Sequence, residues 1–256
     1  MQVFTKMASR WAERACADEE CLAFRKALAE SDVRVTMAHD SYLINLASPD
    51  PVLRRRSIES FVAELQRCAA LGLDLLVSHP GNHMGDLESG LHRNADAITE
   101  AFERVPGRCV LALESTAGSG TSLGARFEEL ATIIAYVPEP HRVRMGVCTD
   151  TCHLYAAGYD LVRNFDGVWN RFDDVIGRDR LRAIHLNDSK TPFNSRRDRH
   201  ELIGEGALGP KPFRRIVRDA RFAHVPKVIE TPKLDDATKT DRKMLRRLRA
   251  YARARK

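Results

Sequence analysis

Histidines and carboxylates recur in this 256-residue sequence where metal ions could be bound. Nine of them end a short apolar run or closely follow one: His39, His79, Glu114, Asp150, His153, His185, Asp198, His200 and Glu230. We expect His153 and His200 each in a short loop that also holds a carboxylate, Asp150 and Asp198 respectively. Histidine is the commonest metal ligand, and a carboxylate beside a buried run is costly unless it is paired or coordinates a metal. A mixture of nitrogen and oxygen ligands favours catalytic zinc or manganese over structural zinc.

The number of candidate ligands predicts more than one ion. Each metal needs about three or four protein ligands, so this set suffices for about three ions if one carboxylate is shared. Clustered divalent metals stabilise the attacking and leaving oxygens of a phosphoryl displacement and supply a hydroxide. The sequence therefore predicts a phosphodiester substrate. Cys148 and Cys152 stand beside Asp150, but the complete oxygen and nitrogen set favours packed thiols there.

Seven apolar runs position these residues, with helical patterns between them. The runs span residues 1–7, 33–40, 74–80, 109–115, 144–150, 182–188 and 227–232. Apolar spacing of i, i+3, i+4, as in Ile58, Phe61 and Val62, predicts helices between the runs. Alternating strands and helices indicate an α/β fold. Ligands at the strand ends favour a (β/α)8 TIM barrel, whose strand ends meet at one mouth, while no glycine-rich phosphate loop supports a doubly wound sheet.

Composition excludes a membrane span and a disulfide scaffold. No apolar stretch approaches about 18 residues, and the first residues lack the apolar region of a signal peptide, so we expect a cytoplasmic protein. Six cysteines without a CxxC pair indicate reduced thiols. We expect one catalytic domain over residues 1–256.

The net charge of +6 arises at the C-terminal end of the sequence. Residues 240–256 hold eight basic residues against Asp241 alone, and the rest is nearly neutral. Leu245, Leu248 and Tyr251 stand at helical spacing, which fits an amphipathic terminal helix with a solvated basic face. A basic tail that binds nucleic acid is the alternative.

Seven motifs occur in the order found in a known enzyme family. They are HDSYLINLASP (39–49), HPGNH (79–83), ESTAG (114–118), GVCTDTCHLYAAGYDL (146–161), HLNDSK (185–190), DRHELIGEG (198–206) and VIETP (228–232). Through them the sequence, from about Val3 to about Pro232, resembles the endonuclease IV family of apurinic/apyrimidinic endonucleases, a branch of the xylose-isomerase-like TIM barrels. The resemblance implies a monomer that hydrolyses double-stranded DNA on the 5′ side of abasic sites and leaves a 3′-hydroxyl.

The resemblance also implies about three zinc ions, with manganese an alternative at one site. The first would be held by His39, His79 and a bridging Glu114. The second would be held by Glu114, Asp150, His185 and Glu230, and the third by His153, Asp198 and His200. Glu114 is thus the predicted catalytic residue, because it would serve two ions. Ser115 stands where the family commonly has Asn, and we expect this change to affect the orientation of Glu114.

Four residues are candidates for DNA contacts. Tyr42 matches a tyrosine that the family inserts into DNA at the lesion, while Ser9 occupies the register of the usual inserted arginine and Arg10 follows it. Lys190 and Arg197 flank the predicted third ion and suit phosphate contacts, although a solvated loop explains them equally well.

Two alternatives come from other classes. A single-metal sugar isomerase or epimerase of the xylose-isomerase-like barrels would need only Glu114, Asp150, His185 and Glu230. A non-catalytic DNA-binding protein would use the basic tail. Neither explains the other five predicted ligands.

The runs number seven where a barrel has eight strands. The family's first strand and helix have no counterpart before Met1. We therefore expect the chain as written to be less stable, and more prone to aggregate, than one extended by roughly 25 to 30 residues, one βα unit.

Overall fold

The computed structural model describes residues 1–253, and all seven predicted strands form in it. They are β1 (Gln2–Phe4), β2 (Met37–His39), β3 (Leu75–Ser78), β4 (Val110–Glu114), β5 (Met145–Asp150), β6 (Leu181–His185) and, after two short strands described below, β9 (Lys227–Val228). The strand order in the sheet is β1-β2-β3-β4-β5-β6-β9. Each strand is shorter than the apolar run that predicted it, because the ends of the runs lie in loops.

The chain divides into two compact units, of which the first comprises Met1–Glu114, Thr121–Gly124 and Glu128–Val147. Here β1 to β4 pair in parallel, in a register that places Phe4 beside His39 and His39 beside Val77. The helices between the strands are α1 (Asp18–Ala29), α2 (Pro51–Leu71) and α3 (Leu87–Arg104).

The residues at the two ends of helix α2 explain where this helix begins and ends. The side chain of Asp50 accepts a hydrogen bond from Leu53 N at 2.8 Å, and Pro51 occupies the first helical turn, where its missing N–H costs nothing. The helix ends at Gly72, whose φ of 71° is in the left-handed region that favours glycine. The chain then enters β3, and His79 follows directly after the last residue of that strand.

The second unit comprises Ser115–Gly120, Ala125–Phe127 and Cys148–Lys256, of which the structure describes residues up to Arg253. Strands β6 and β9 pair in parallel, with His185 beside Val228. Two further strands, β7 (Asp188–Ser189) and β8 (His200–Glu201), form an antiparallel pair that the sequence did not predict. Two-residue strands are too short to leave a periodic pattern in a sequence.

The remaining helices are α4 (Phe127–Tyr136), α5 (Glu139–Arg142), α6 (Thr151–Ala157), α7 (Phe165–Val175), α8 (Pro210–Ile216) and α9 (Ala237–Arg253). Helix α9 confirms the predicted amphipathic helix within residues 240–256. Its buried face holds Met244 and Leu248, whereas the predicted Leu245 is 40% exposed. Arg255 and Lys256 lie outside the described residues. Among the described helices, none has both the length and the apolar character needed to cross a membrane.

Candidate metal centre

The first unit brings together three predicted ligands. His39 ends β2, Glu114 ends β4, and His79 follows β3 directly. His39 Nε2 lies 3.0 Å from Glu114 Oε2, and His79 Nε2 lies 3.3 Å from the same oxygen. His39 and Glu114 are buried, while His79 is about one third exposed. Two imidazoles therefore converge on one carboxylate oxygen of a fully buried side chain.

Hydrogen bonding selects the ring nitrogen that His39 presents. Its Nδ1 lies 2.9 Å from the carbonyl oxygen of Asp40, which can only accept, so Nδ1 carries the proton. Nε2 is then the ring nitrogen that faces Glu114, as it would be for metal binding. Burial raises the pKa of the neighbouring Asp40 carboxyl to about 7, although the charge of His39 and a hydrogen bond from Ser78 oppose this effect.

The second unit repeats this arrangement twice. His153 donates Nδ1–H to the carbonyl oxygen of Ser115 at 2.8 Å, and His200 donates to that of Glu230 at 3.1 Å. The Nε2 atoms of the two histidines then lie 3.1 and 3.2 Å from the two carboxylate oxygens of Asp198. All three members of the predicted third ligand set meet at one place.

The electrostatics of this cluster favour charged groups. Burial alone would raise the pKa of Asp198, but hydrogen bonds and charges from His153 and His200 outweigh it and hold that pKa far below its ordinary value. Burial likewise lowers the pKa of His200, and the carboxylates of Asp150 and Asp198 overcome this effect and raise the pKa to about 9. Asp198 and His200 thus stabilise each other's charged forms.

A second group in this unit consists of Asp150, His185 and Glu230. One potential ligand atom from each lies within 4.8 Å of the others, and His185 Nδ1 is 3.2 Å from Glu230 Oε2. Asp150 ends β5 and His185 ends β6, whereas Glu230 follows β9. Asp150 also caps α6, since its Oδ1 accepts a hydrogen bond from His153 N at 2.9 Å.

Asn187 holds this second group together, a role that no pattern in the sequence indicated. Its Nδ2 donates to Asp150 Oδ2 at 2.5 Å, and its Oδ1 accepts from Glu230 N at 2.8 Å. Asn187 itself is fixed by Thr151, whose hydroxyl donates to its carbonyl oxygen at 2.7 Å and accepts from its N–H at 2.9 Å. One buried amide therefore orients two predicted ligands.

Two predicted ligands lie in elements other than those expected from the sequence. His153 lies in helix α6 and His200 in strand β8, whereas both were expected in loops. Ser115 Oγ accepts from Asp150 N at 3.0 Å, and the carbonyl of Ser115 accepts from His153 Nδ1. The expected effect of Ser115 on Glu114 stays a prediction. A serine at this position thus supports ligands of the second unit.

The two cysteines are buried, as predicted for packed thiols. Cys152 Sγ nevertheless lies within 4.8 Å of potential ligand atoms of Asp198 and His200. Burial raises the pKa of the Cys152 thiol to about 12, and the charge of Asp150 adds to this effect.

The candidate DNA-contacting residues are exposed on both units. Tyr42 is 61% exposed, and its ring centroid lies 5.5 Å from that of His39. Arg10 lies in a neighbouring loop that is tied to the Tyr42 loop, because Tyr42 N donates to Ala8 O at 3.1 Å. In the second unit, Lys190 and Arg197 are exposed on the segment that connects β7 to β8.

Replacing Asn187 by alanine should weaken metal binding by about 10- to 100-fold, because the supporting partners of metal ligands typically contribute that much to affinity. The reason is the loss of both hydrogen bonds that orient Asp150 and Glu230. Competition with a chromophoric chelator measures this affinity. The matched control is Asn170→Ala on the exposed surface of α7. Equal metal affinity of the two variants would contradict the positioning role of Asn187.

Comparison with known proteins places this geometry in a family. Residues 1–248 match the family model described as a xylose isomerase-like TIM barrel. A probable endonuclease 4 of Chloroflexus aggregans is 45% identical over 257 residues, covering 99% of this chain and 89% of the relative. The chain belongs to the endonuclease IV family. A relative in Geobacter sulfurreducens, also named probable endonuclease 4, is 46% identical over 240 residues, with 92% and 80% covered.

Solved structures agree with this assignment. Endonuclease IV from Thermus thermophilus has a TM-score of 0.86 and 34% identity, covering 98% of this chain and 87% of that one. A D-tagatose 3-epimerase-like protein has a TM-score of 0.64 but only 17% identity, covering 92% and 84%, so this second likeness concerns the fold alone. The predicted TIM-barrel fold and the predicted family are both confirmed.

Proposed function

We propose that this member of the endonuclease IV family is a metal-dependent DNA-repair enzyme. It hydrolyses the phosphodiester on the 5′ side of abasic sites in double-stranded DNA and leaves a 3′-hydroxyl. Family membership makes the chain a DNA-cleaving hydrolase. The observation that carries the metal dependence is the shared arrangement of His39, His153 and His200, each of which donates Nδ1–H to a backbone carbonyl and directs Nε2 at a carboxylate.

The donor set fits divalent cations. Imidazole and carboxylate ligands suit zinc, and carboxylates also accept manganese. We assign about three zinc ions to the chain, with manganese an alternative at one site, and the nine predicted ligands as their holders. The bridging role of Glu114 remains a prediction from the family resemblance. When bound, such ions supply a hydroxide at neutral pH and stabilise the leaving 3′ oxygen.

The chain's own residues prepare the site for this reaction. The backbone carbonyls of Asp40, Ser115 and Glu230 fix the orientation of three imidazole rings before any substrate arrives. Asn187 restrains Asp150 through its short amide hydrogen bond. Such preorganisation means that little reorganisation is needed at the moment of reaction. We further propose that the enzyme acts as a monomer in the cytoplasm, and that Arg10, Lys190 and Arg197 contact DNA phosphates.

Tyr42 is proposed to enter the base stack at the lesion. Its ring packs against the rings of Phe4 and His39, with centroid distances of 5.6 and 5.5 Å. The rest of the Tyr42 side chain is exposed to solvent, where a base could stack on it. Stacking of a base on an aromatic ring contributes about 1–3 kcal/mol. Tyr42→Ala should therefore weaken affinity for an abasic duplex by about tenfold or more. Fluorescence anisotropy with a catalytically inactive, metal-loaded background measures this affinity.

The control for Tyr42 is Tyr42→Phe, which keeps the ring and should bind nearly as well as the unaltered protein. If Tyr42→Ala binds the abasic duplex as tightly as Tyr42→Phe, Tyr42 does not enter the stack. Thermal unfolding of both variants verifies that the fold is retained.

The decisive experiment for the function uses a duplex with one abasic analogue. Zinc-loaded protein should cut it at the 5′ side of the lesion, and a DNA polymerase should extend the product without further processing, which reports a 3′-hydroxyl. A matched duplex without the lesion is the control. Conversion of a ketose by the protein, without cleavage of the abasic duplex, would instead support the single-metal isomerase.

A further inference from the structure

Helix α9 presents a row of four exposed arginines. Arg242, Arg246, Arg249 and Arg253 follow one another at intervals of four, three and four residues. With 3.6 residues per turn, this spacing places all four on one narrow face. At 1.5 Å per residue, the row is about 16 Å long. We call these four residues the arginine stripe.

The opposite face of α9 is held by the second unit. Met244 and Leu248 are buried, and Arg218 Nε donates to Tyr251 O at 2.6 Å. Arg247 donates to the carbonyl oxygen of Ile203 and pairs with Glu205 at 2.8 Å. Apart from the partly exposed Leu245, the large apolar side chains of α9 pack against the second unit. The helix therefore lacks the broad apolar face that insertion into a lipid surface requires.

The arginine stripe differs from the other cations of α9 in its lack of partners. Lys239 and Lys243 each lie within 4.0 Å of a carboxylate, as Arg247 does. Asp241, the acidic residue of the helix, pairs with Lys233 at 2.8 Å. Within residues 1–253, no ion pair or hydrogen bond of the four stripe side chains is found.

A row of like charges at these intervals destabilises a helix. An anionic partner that covers the row would offset this cost. Arginine rather than lysine occupies all four positions, and the planar guanidinium group favours bidentate contacts with phosphate. Duplex DNA carries about one negative charge per 1.7 Å of its axis, so a stripe of this length faces several phosphates.

We propose that the arginine stripe of α9 binds the phosphate backbone of undamaged duplex DNA, independently of sequence. This contact goes beyond the proposed incision, because it requires neither a lesion nor a metal. It would retain the enzyme on DNA between lesions, since contacts to phosphates alone allow a protein to slide along the duplex.

The test compares two fourfold variants of the full chain. Arg242→Gln, Arg246→Gln, Arg249→Gln and Arg253→Gln together remove the stripe. The matched control replaces four exposed cations of the first unit by glutamine: Arg25, Lys26, Arg34 and Arg108. Both variants change the net charge equally, so a difference between them reports the location of the charges. Binding to an undamaged duplex is measured by anisotropy between about 50 and 200 mM salt.

The stripe variant should bind the undamaged duplex at least about tenfold more weakly at low salt. Each lost phosphate contact lowers the slope of log K against log salt by about 0.9, so the slope should fall by up to about 3.6 relative to the control. The melting temperature of the stripe variant should not fall, because like charges have been removed. Equal affinities and slopes for the two variants would overturn the proposal.

Two further measurements separate other outcomes. Unaltered protein that binds vesicles of anionic phospholipid, but not the undamaged duplex, would overturn the proposal in favour of a membrane surface. Incision of a short abasic duplex at saturating concentration should be the same for both variants, because the stripe contacts neither ligand cluster. If neither variant nor the unaltered protein incises, the proposed endonuclease activity fails, while the duplex-binding result still decides the stripe.

Discussion

Replacing Glu114 by glutamine should reduce incision more than any other single change. Glu114 is fully buried at the end of β4, and its Oε2 faces both His39 and His79 at 3.0 and 3.3 Å. Glutamine preserves the shape but removes the negative charge and one strong ligand oxygen. Because loss of a residue that only supports a ligand costs about 10- to 100-fold, we expect loss of this ligand to cost more than about 100-fold.

Metal content separates this effect from a change in substrate binding. If Glu114 serves two ions, as the family resemblance implies, Glu114→Gln should lose more than one metal per chain by elemental analysis. A variant of His79, which is predicted to hold one ion, should lose about one.

The matched control for Glu114→Gln is Glu103→Gln, on the exposed surface of α3. It makes the same chemical change in the same unit and should retain full activity and metal content. Near-normal incision by Glu114→Gln, with the fold intact, would exclude Glu114 as the central ligand.

The strands and the positions of most candidate ligands could be predicted because their signals are local. A buried strand produces a continuous apolar run, and a ligand at its end interrupts the run with a polar residue such as His39 or Asp150. The same reasoning predicted α9 from the spacing of its apolar residues. Strand lengths were overestimated because apolar residues also pack in the loops that follow strands, as Leu186 does after β6.

The hydrogen bonds that orient the ligands could not be predicted, because they join distant parts of the chain. Asn187 reaches Asp150 across 37 positions, and Ser115 reaches Asp150 across 35. No periodicity connects such residues, and an isolated asparagine or serine in a motif has many structural explanations. The placement of His200 in β8 was missed for a related reason, since a two-residue strand is defined by its partner in β7 rather than by its own sequence.

Stripping the metals should abolish incision and also lower the melting temperature. Asp150, Asp198 and Glu230 place three carboxylates around the histidines of the second unit, and bound cations would offset their mutual repulsion. An ion present at about 1,000 times its dissociation constant stabilises the folded state by about 4 kcal/mol. For a domain of this size, about 1 kcal/mol corresponds to about 2–4 °C, so reloading with zinc should raise the melting temperature by roughly 10 °C.

Dialysis against a strong chelator, followed by reconstitution with zinc, measures both effects in one sample series. Elemental analysis should then give about three divalent ions per chain, at least two of them zinc. Chelator already saturated with zinc is the control, and it should change neither activity nor melting temperature.

Reconstituted, folded protein with one metal or none would contradict the three-ion centre. Full incision in the metal-free state would contradict metal dependence altogether. The carboxylate-facing Nε2 atoms of His39, His153 and His200 argue against that outcome, because imidazole and carboxylate groups that converge in this way form a donor set for divalent ions.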